Sequence, residues 1–401
     1  MATPRDSSTP ISAETLGRAV ERGIITADQR GRLLALESAA AEPATAGGGD
    51  EQLRLIGGGN DLFVTVGIVM LFAGIVFAMQ AMPAISTAAG AAVIGVLIWL
   101  VAEFVTRQRR MRLASTGLGL GFVACTGLIA GDYLYTQANL DQLRDNPAAL
   151  LGLRSQIGWL GSLAGGAVAA AAIVYFWRFR VPVMAAVLAV ALTTLAFLWT
   201  FLIVYDGVMA GQIALPTAAE QVSFVLERAL YVPLVCGLAV FGTAVALDLH
   251  DRERFTVWSD CAFWLHVVSA PLLVHPLFIL ATGRDFGIGT VDAESGATAM
   301  LALLIAGFVY IALAIDRRSL LVPTFAYFGS LGVYYLFDNA ANTTGIPPFA
   351  LILLMIGALV IMFGAGWQRI RALVVGTTLP ASVLAKLPPI ETRVPNASPT
   401  Q

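Results

Sequence analysis

Charge is what this sequence has least of. Only 12% of its 401 residues are Asp, Glu, Lys or Arg, whereas an ordinary soluble domain carries about 25%. A water-facing surface of normal polarity is therefore excluded. The net charge of −2 supplies no bulk positive field, so nucleic acid is not an expected partner. Cysteine is scarce as well. Cys125, Cys236 and Cys261 stand alone within or beside apolar runs, with no C-x-x-C spacing, and read as small buried hydrophobes rather than a disulfide framework or thiolate metal site. H-E-x-x-H and G-x-S-x-G are both missing, which speaks against a zincin or a serine hydrolase. No metal, cofactor or catalytic residue is expected, and an enzymatic role is not. The first sixty residues are polar, unlike the basic and then apolar pattern of a secretory signal.

What the chain has in abundance is apolar length. It is 58% hydrophobic, and the apolar residues fall into blocks of about 18 to 25 residues, the length a helix needs to cross a hydrocarbon core. The roughly ten-residue apolar and polar alternation of a membrane β-barrel is not seen. The expected fold is all-α: a polytopic transmembrane helix bundle of about ten spans. The segments are 62–80, 83–105, 113–135, 156–177, 181–204, 223–247, 258–281, 298–315, 319–337 and 347–367. An even count puts both termini on one side of the lipid bilayer.

Arginine gives the orientation. Alternate connections carry Arg107, Arg109, Arg110 and Arg112, then Arg178 and Arg180, then Arg252 and Arg254, then Arg317 and Arg318, and finally Arg369 and Arg371. The opposite connections hold Arg144, Arg154 and Arg284, with Arg228 at a boundary. Since cytoplasmic loops are enriched in Lys and Arg, the first set marks the cytoplasmic face, and both termini are expected there.

Residues 1–39 read as a small cytoplasmic helical hairpin. Gly23 supplies a left-handed stop, and Thr26 with Gln29 forms a T-x-x-Q capping box. So small a pair has little core of its own, and residues 11–39 are a candidate docking site for a cytoplasmic protein partner. Residues 40–61 read as a flexible linker, 62–371 as the ten-helix domain and 372–401 as a cytoplasmic tail. Glycines offer a packing signal, because small-x-x-x-small pairs permit close backbone approach. Gly117/Gly121 and Gly127/Gly131 lie on the third segment, facing different ways at about 100° per residue. Gly161/Gly165 lie on the fourth. The third segment is expected to be contacted on more than one face.

Ionisable groups inside a membrane are costly and mark function or pairing. Glu103, four residues before Arg107, fits a local ion pair at the interface. The seventh segment is the most unusual. Asp260 opens it, His266 lies roughly 12 Å in and His275 roughly 25 Å in by the helical rise, while Pro271 and Pro276 interrupt its hydrogen bonding. Nine residues separate the two histidines, so they face opposite ways and do not chelate one metal. Helix-fixing hydrogen bonds, a proton relay or a polar substrate contact are the readings left open. Toward the outer face lie Asp132, Glu227 with Arg228, and Asp338, at about the depth of His275. Arg228 needs a carboxylate partner there, and Asp132 or Asp338 is the expected one.

The stretches Ile11-Ser-Ala-Glu-Thr-Leu to Gly23-Ile-Ile-Thr-Ala-Asp-Gln, Asp61-Leu-Phe-Val-Thr-Val-Gly, Ser259-Asp-Cys-Ala-Phe-Trp-Leu-His and Ala314-Ile-Asp-Arg-Arg-Ser-Leu-Leu resemble a family of uncharacterised bacterial multi-pass membrane proteins. That family is grouped as a domain of unknown function with a short helical N-terminal module. The resemblance implies a bacterial inner-membrane location and brings no activity or site residues with it. The leading functional expectation is handling of a small solute or proton through a polar site between helices. The alternative is a non-transporting scaffold or sensor that docks a partner through its N-terminal helices.

Overall fold

The computed structural model describes residues 16, 22–24, 26–31, 59–82, 84–139, 141, 152–213, 229–251, 254, 256–282, 295–321, 348–384 and 387–388. Most of the N-terminal hairpin and the linker fall outside the described residues. So do Arg228, Asp338 and nearly all of the predicted 319–337 segment.

The chain divides into two units, residues 1–52 and 53–401. In the first, the Thr26 N–H donates to Gln29 Oε1 at 2.9 Å and the Gln29 N–H to Thr26 Oγ1 at 3.2 Å, so the capping box forms. Gly23 before it holds φ +68, the left-handed conformation that ends a helix at low cost only for glycine.

The second unit is all-helical among its described residues. Its elements are α1 (Gly59–Gln80), α2 (Thr87–Ala102, continued as a π-turn Glu103–Gln108), α3 (Arg112–Gln137), α4 (Arg154–Phe179), α5 (Val183–Met209), α6 (Tyr231–His250), α7 (Val257–Thr282), α8 (Ser295–Ile315, followed by a 3-10 turn Arg318–Leu320), α9 (Pro348–Thr378) and α10 (Ala381–Leu384). Eight of the described helices are long and apolar enough to cross a membrane, α1 to α7 and the Ile356–Thr378 part of α9. Their surface is the reverse of a soluble protein's. Phe63 (78%), Phe77 (71%) and Trp177 (75%) stand exposed, while Asp61, Asp248, Asp316, Arg317 and Arg371 are buried. Large contiguous apolar surface of this kind marks contact with a membrane or a partner.

The Arg-rich turns share one end of this unit. Arg178 Nη2 donates to Glu103 Oε2 at 2.7 Å, joining the first two turns. The rings of Phe176 and Trp258 lie 5.8 Å apart, joining the second and third. Arg254 pairs with Asp316 at 3.3 Å, joining the third and fourth. Asp61 adds α1 to the same end, because its carboxylate accepts from the Leu113 and Ala114 N–H groups at 2.9 and 3.2 Å. It thereby caps the positive N-terminus of α3 from another helix. Each of these turns also holds a non-glycine residue in the left-handed region: Arg110, Arg180, Arg254 and Asp316, with φ between 53° and 58°. Such strain persists only where surrounding packing fixes it.

α3 is the central helix of the first group, touching α1, α2, α4 and α5. The glycine contacts are more selective than the spacing suggested. An added Cβ at Gly121 would meet Ile98 Cδ1 at 3.0 Å, whereas at Gly127 it would make only an ordinary 3.9 Å contact with Val168. At Gly117 and Gly131 no described atom lies within 4 Å, so their pairs do not form close contacts. The second tight face of α3 is instead at Gly119, against Tyr175 and Met184 at 3.0 Å. Two residues turn the helix by about 200°, which puts Gly119 and Gly121 on opposite sides. On α4, a Cβ added at Gly158, Gly161 or Gly165 would meet Leu202, Leu198 or Leu195 of α5 at 3.1, 2.9 and 2.5 Å, an antiparallel close contact along the first half of the helix.

One departure from the sequence-derived scheme concerns the C-terminal region. Alternation over ten spans makes segments 298–315 and 347–367 run the same way. Yet Trp367 bonds Asp316, Arg371 bonds the Leu313 carbonyl and Thr378 bonds Tyr310. As the α9 number rises the α8 number falls, so the two helices are antiparallel across their contact. α9 also runs beyond residue 371, where the tail was expected to begin, with Val375 fully buried.

Candidate buried charge site

The turn between α6 and α7 begins the site. Asp251, which follows α6, accepts from the Thr256 N–H at 2.8 Å and the Thr256 hydroxyl at 2.6 Å. The Trp258 N–H in turn donates to Thr256 Oγ1 at 3.3 Å. These bonds satisfy donors at the start of α7. Asp248 on α6 then faces Ser259 and His266 on α7. Ser259 and His266 are seven residues apart, two helical turns, and so lie on one face.

Arg317 completes the group from the turn after α8. Its Nε lies 3.1 Å from both oxygens of Asp248, and its Nη2 donates to Asp248 Oδ1 and to the Ser259 carbonyl and hydroxyl at 3.1 and 2.9 Å. His266 Nε2 approaches Asp248 Oδ2 at 2.9 Å. A carboxylate clamped by a guanidinium only accepts, so Nε2 carries the proton here. His266 is completely buried, with the Phe241 ring 5.5 Å away. Its Nδ1 has no hydrogen-bond partner among the described residues. In the neutral ring that atom is a bare lone pair inside a helical span.

A second charged group lies beside the first. Asp316 Oδ1 accepts from Trp367 Nε1 at 2.6 Å and lies 3.8 Å from Arg371 Nε. Arg254 reaches Asp316 Oδ2 at 3.3 Å and donates to the Ile315 and Asp316 carbonyls. Asp316, Arg317 and Arg371 are each at most 3% exposed. Buried charges survive only when paired and hydrogen-bonded, and here Asp248, Asp251 and Asp316 stand against Arg254, Arg317 and Arg371. The arrangement ties α6, α7, α8 and α9 together at the Arg-rich end, with His266 as its imidazole member.

Of the residues singled out in the sequence, His266 is in this site. Asp260 sits half-buried in the first turn of α7 beside Ser259. His275 is half-buried further along α7, nine residues from His266 and about 13 Å by helical rise. Asp132 is half-buried near the end of α3, at the opposite end of the unit, and its carboxylate makes no ion pair among the described residues. Its expected pairing with Arg228, like that of Asp338, lies outside the described residues. Glu103 does pair with Arg107, at 3.5 Å, and more closely with Arg178. At the other end, Arg154 forms a two-pronged pair with Asp206.

Sequence reasoning missed Asp248, Asp316, Arg317, Trp367 and Arg371. Asp248 fell one residue past the predicted end of its segment, and Arg317 was counted only as a loop charge. The structure corrects that placement, since Arg317 is 3% exposed and faces inward. The available signal was the shared face of Ser259 and His266. No protein family, curated protein or solved structure was found to match this chain.

Proposed function

We propose that this protein is an integral protein of a bacterial inner membrane, with its Arg-rich turns in the cytoplasm, that handles a proton or a small solute coupled to one through Asp248 and His266. The observation that carries this reading is the sealed His266 ring with its unbonded Nδ1. Intramembrane ionisable groups are functional candidates by default, and imidazole is the side chain that changes charge near neutral pH. A proton arriving at Nδ1 turns the ring into an imidazolium whose Nε2–H already faces Asp248. That carboxylate is shared with Arg317, so the added charge competes with the guanidinium for it. Loosening of Arg317 would be felt at once in α8, whose end it holds.

The test is proton uptake into proteoliposomes under an imposed potential, followed by a pH-sensitive dye. His266→Gln, which keeps a hydrogen-bonding side chain but no titratable ring, is expected to lower the protein-dependent rate at least tenfold. Uptake that is absent in the native protein, or unchanged in the variant, removes this reading.

The second reading is a scaffold or sensor whose N-terminal helices dock a cytoplasmic partner. It is favoured by Ile24, 70% exposed beside an intact capping box.

The arginine distribution supports the cytoplasmic placement of the Arg-rich turns, whereas the antiparallel run of α8 and α9 is at odds with ten strictly alternating crossings. Single cysteines at Asn146 and Gly287 are expected to label with a membrane-impermeant maleimide in intact cells, and one at Arg110 only after permeabilisation. Outside labelling of Arg110→Cys would overturn the orientation. Arg317 is unsuitable for this purpose because it is buried.

A further inference from the structure

The left-handed backbone region suits glycine and, next to it, asparagine. Among the described residues that hold it, Asn139 is of the tolerant type, and Arg254 and Asp316 engage each other at 3.3 Å. Arg110 (φ 53) and Arg180 (φ 55) are different. Both are exposed, and neither makes an ion pair or a side-chain hydrogen bond among the described residues. Packing fixes the backbone at these two positions, but nothing in the chain calls for a charged side chain there.

The surface around them is strongly basic. The stretches 103–112 and 178–180 hold six arginines against one acid, Glu103. Glu103 is already engaged, since it accepts from Arg107 at 3.5 Å and from Arg178 at 2.7 Å, and the second bond holds the two turns side by side. Large apolar side chains stand next to the free cations. Arg109 lies 5.4 Å from the centre of the Phe104 ring and Arg180 5.8 Å from that of Phe176, while Phe104 is 50% and Trp177 75% exposed. A phosphate arriving here meets guanidinium forks of the geometry that binds it two-pronged. Its apolar attachments would meet exposed aromatic rings of the kind that sit at a membrane interface. A phospholipid uses both features, whereas a free phosphate uses only the first.

We propose that the turns following α2 and α4 bind the headgroup of an anionic phospholipid, with Arg110 and Arg180 supplying guanidiniums to lipid phosphate. Anionic headgroups attract basic segments beside a membrane span, and here two of the arginines occupy positions that the backbone alone would give to glycine or asparagine. Their side chains serve a ligand outside the chain, as that of Arg254 serves Asp316. This inference rests on the membrane reading but not on proton handling, so it can fail while uptake through His266 stands, and the reverse.

The test uses the full chain in a neutral detergent, titrated with phosphatidylglycerol or with phosphatidylcholine of the same acyl chains and followed by native mass spectrometry. The anionic lipid is expected to bind at least tenfold more tightly. The double variant Arg110→Asn with Arg180→Asn, whose side chains suit the left-handed backbone, is expected to lose at least tenfold of that affinity. Its unfolding midpoint without lipid should equal or exceed that of the native protein. Arg22→Asn, which removes an exposed charge from the first unit, should bind as the native protein does. Phosphatidylglycerol should raise the native unfolding midpoint, and inorganic phosphate should not. Equal affinity for the two lipids, or for the native protein and the double variant, overturns the proposal. An equal rise with inorganic phosphate overturns it too, the site then being one for the free anion. A lower lipid-free midpoint in the double variant has the same force, because the two arginines would then be holding the fold rather than a ligand.

Discussion

Replacing Arg317 by methionine is expected to lower the melting temperature of the purified protein more than any other single change at the charge site. Removing one member of a buried ion pair costs about 3–5 kcal/mol, since the other charge is left without compensation. Asp248 would keep only His266 and would lie in a helical span with its main counter-charge gone. The Ser259 hydroxyl and carbonyl would lose their donor as well. The informative comparison is the double variant Arg317→Met with Asp248→Asn. An asparagine carbonyl still accepts from His266 Nε2, and no unpaired charge remains. More than half of the lost stability should return, measured as thermal unfolding in detergent. Simple additivity of the two losses would show that the residues do not act as a pair.

Gly165→Leu is expected to reduce folded yield and thermal stability strongly. The first added carbon alone would sit 2.5 Å from Leu195 Cδ2 and 2.9 Å from Leu195 Cγ, closer than atoms can pack. Overfilling a packed interface costs about 1–3 kcal/mol, and here the neighbouring contacts of Gly158 and Gly161 with Leu202 and Leu198 prevent α4 from simply shifting. Gly117→Leu is the control, because nothing described lies within 4 Å of that position. Equal stability of the two variants would falsify the close contact between α4 and α5. Leu195→Ala combined with Gly165→Leu should recover part of the loss by vacating the space.

These two variants probe features that were unequally legible beforehand. The Gly161/Gly165 spacing pointed to a tight helix face, and it is one. The same spacing at Gly117/Gly121 and Gly127/Gly131 failed at Gly117 and Gly131. A repeat of four states that a face is smooth but not whether a neighbour lies against it. Gly119 was invisible because it belongs to no such pair. His266 was picked out as a polar residue within a span, but its partners were not, since Asp248 and Arg317 both lie at segment ends. A hydropathy window assigns such positions to water, and burial at the end of a bundle depends on what the adjoining turns fold over.

By itself the sequence determined the class of the molecule. The scarcity of charge and the length of the apolar runs leave helices as the economical way to satisfy a backbone in lipid, and the arginine-rich turns group at one end because consecutive helices must alternate. Only the tertiary structure decided what those turns do. Left-handed residues at Arg254 and Asp316 bring the α6–α7 and α8 turns together, and Arg317 turns inward to Asp248. The order of bonds from Trp367 to Thr378 sets α9 antiparallel to α8. Each of these is a contact between residues fifty or more positions apart, or a choice of backbone angle at a single residue. Neither leaves a periodic trace in the chain, so neither could be read from it.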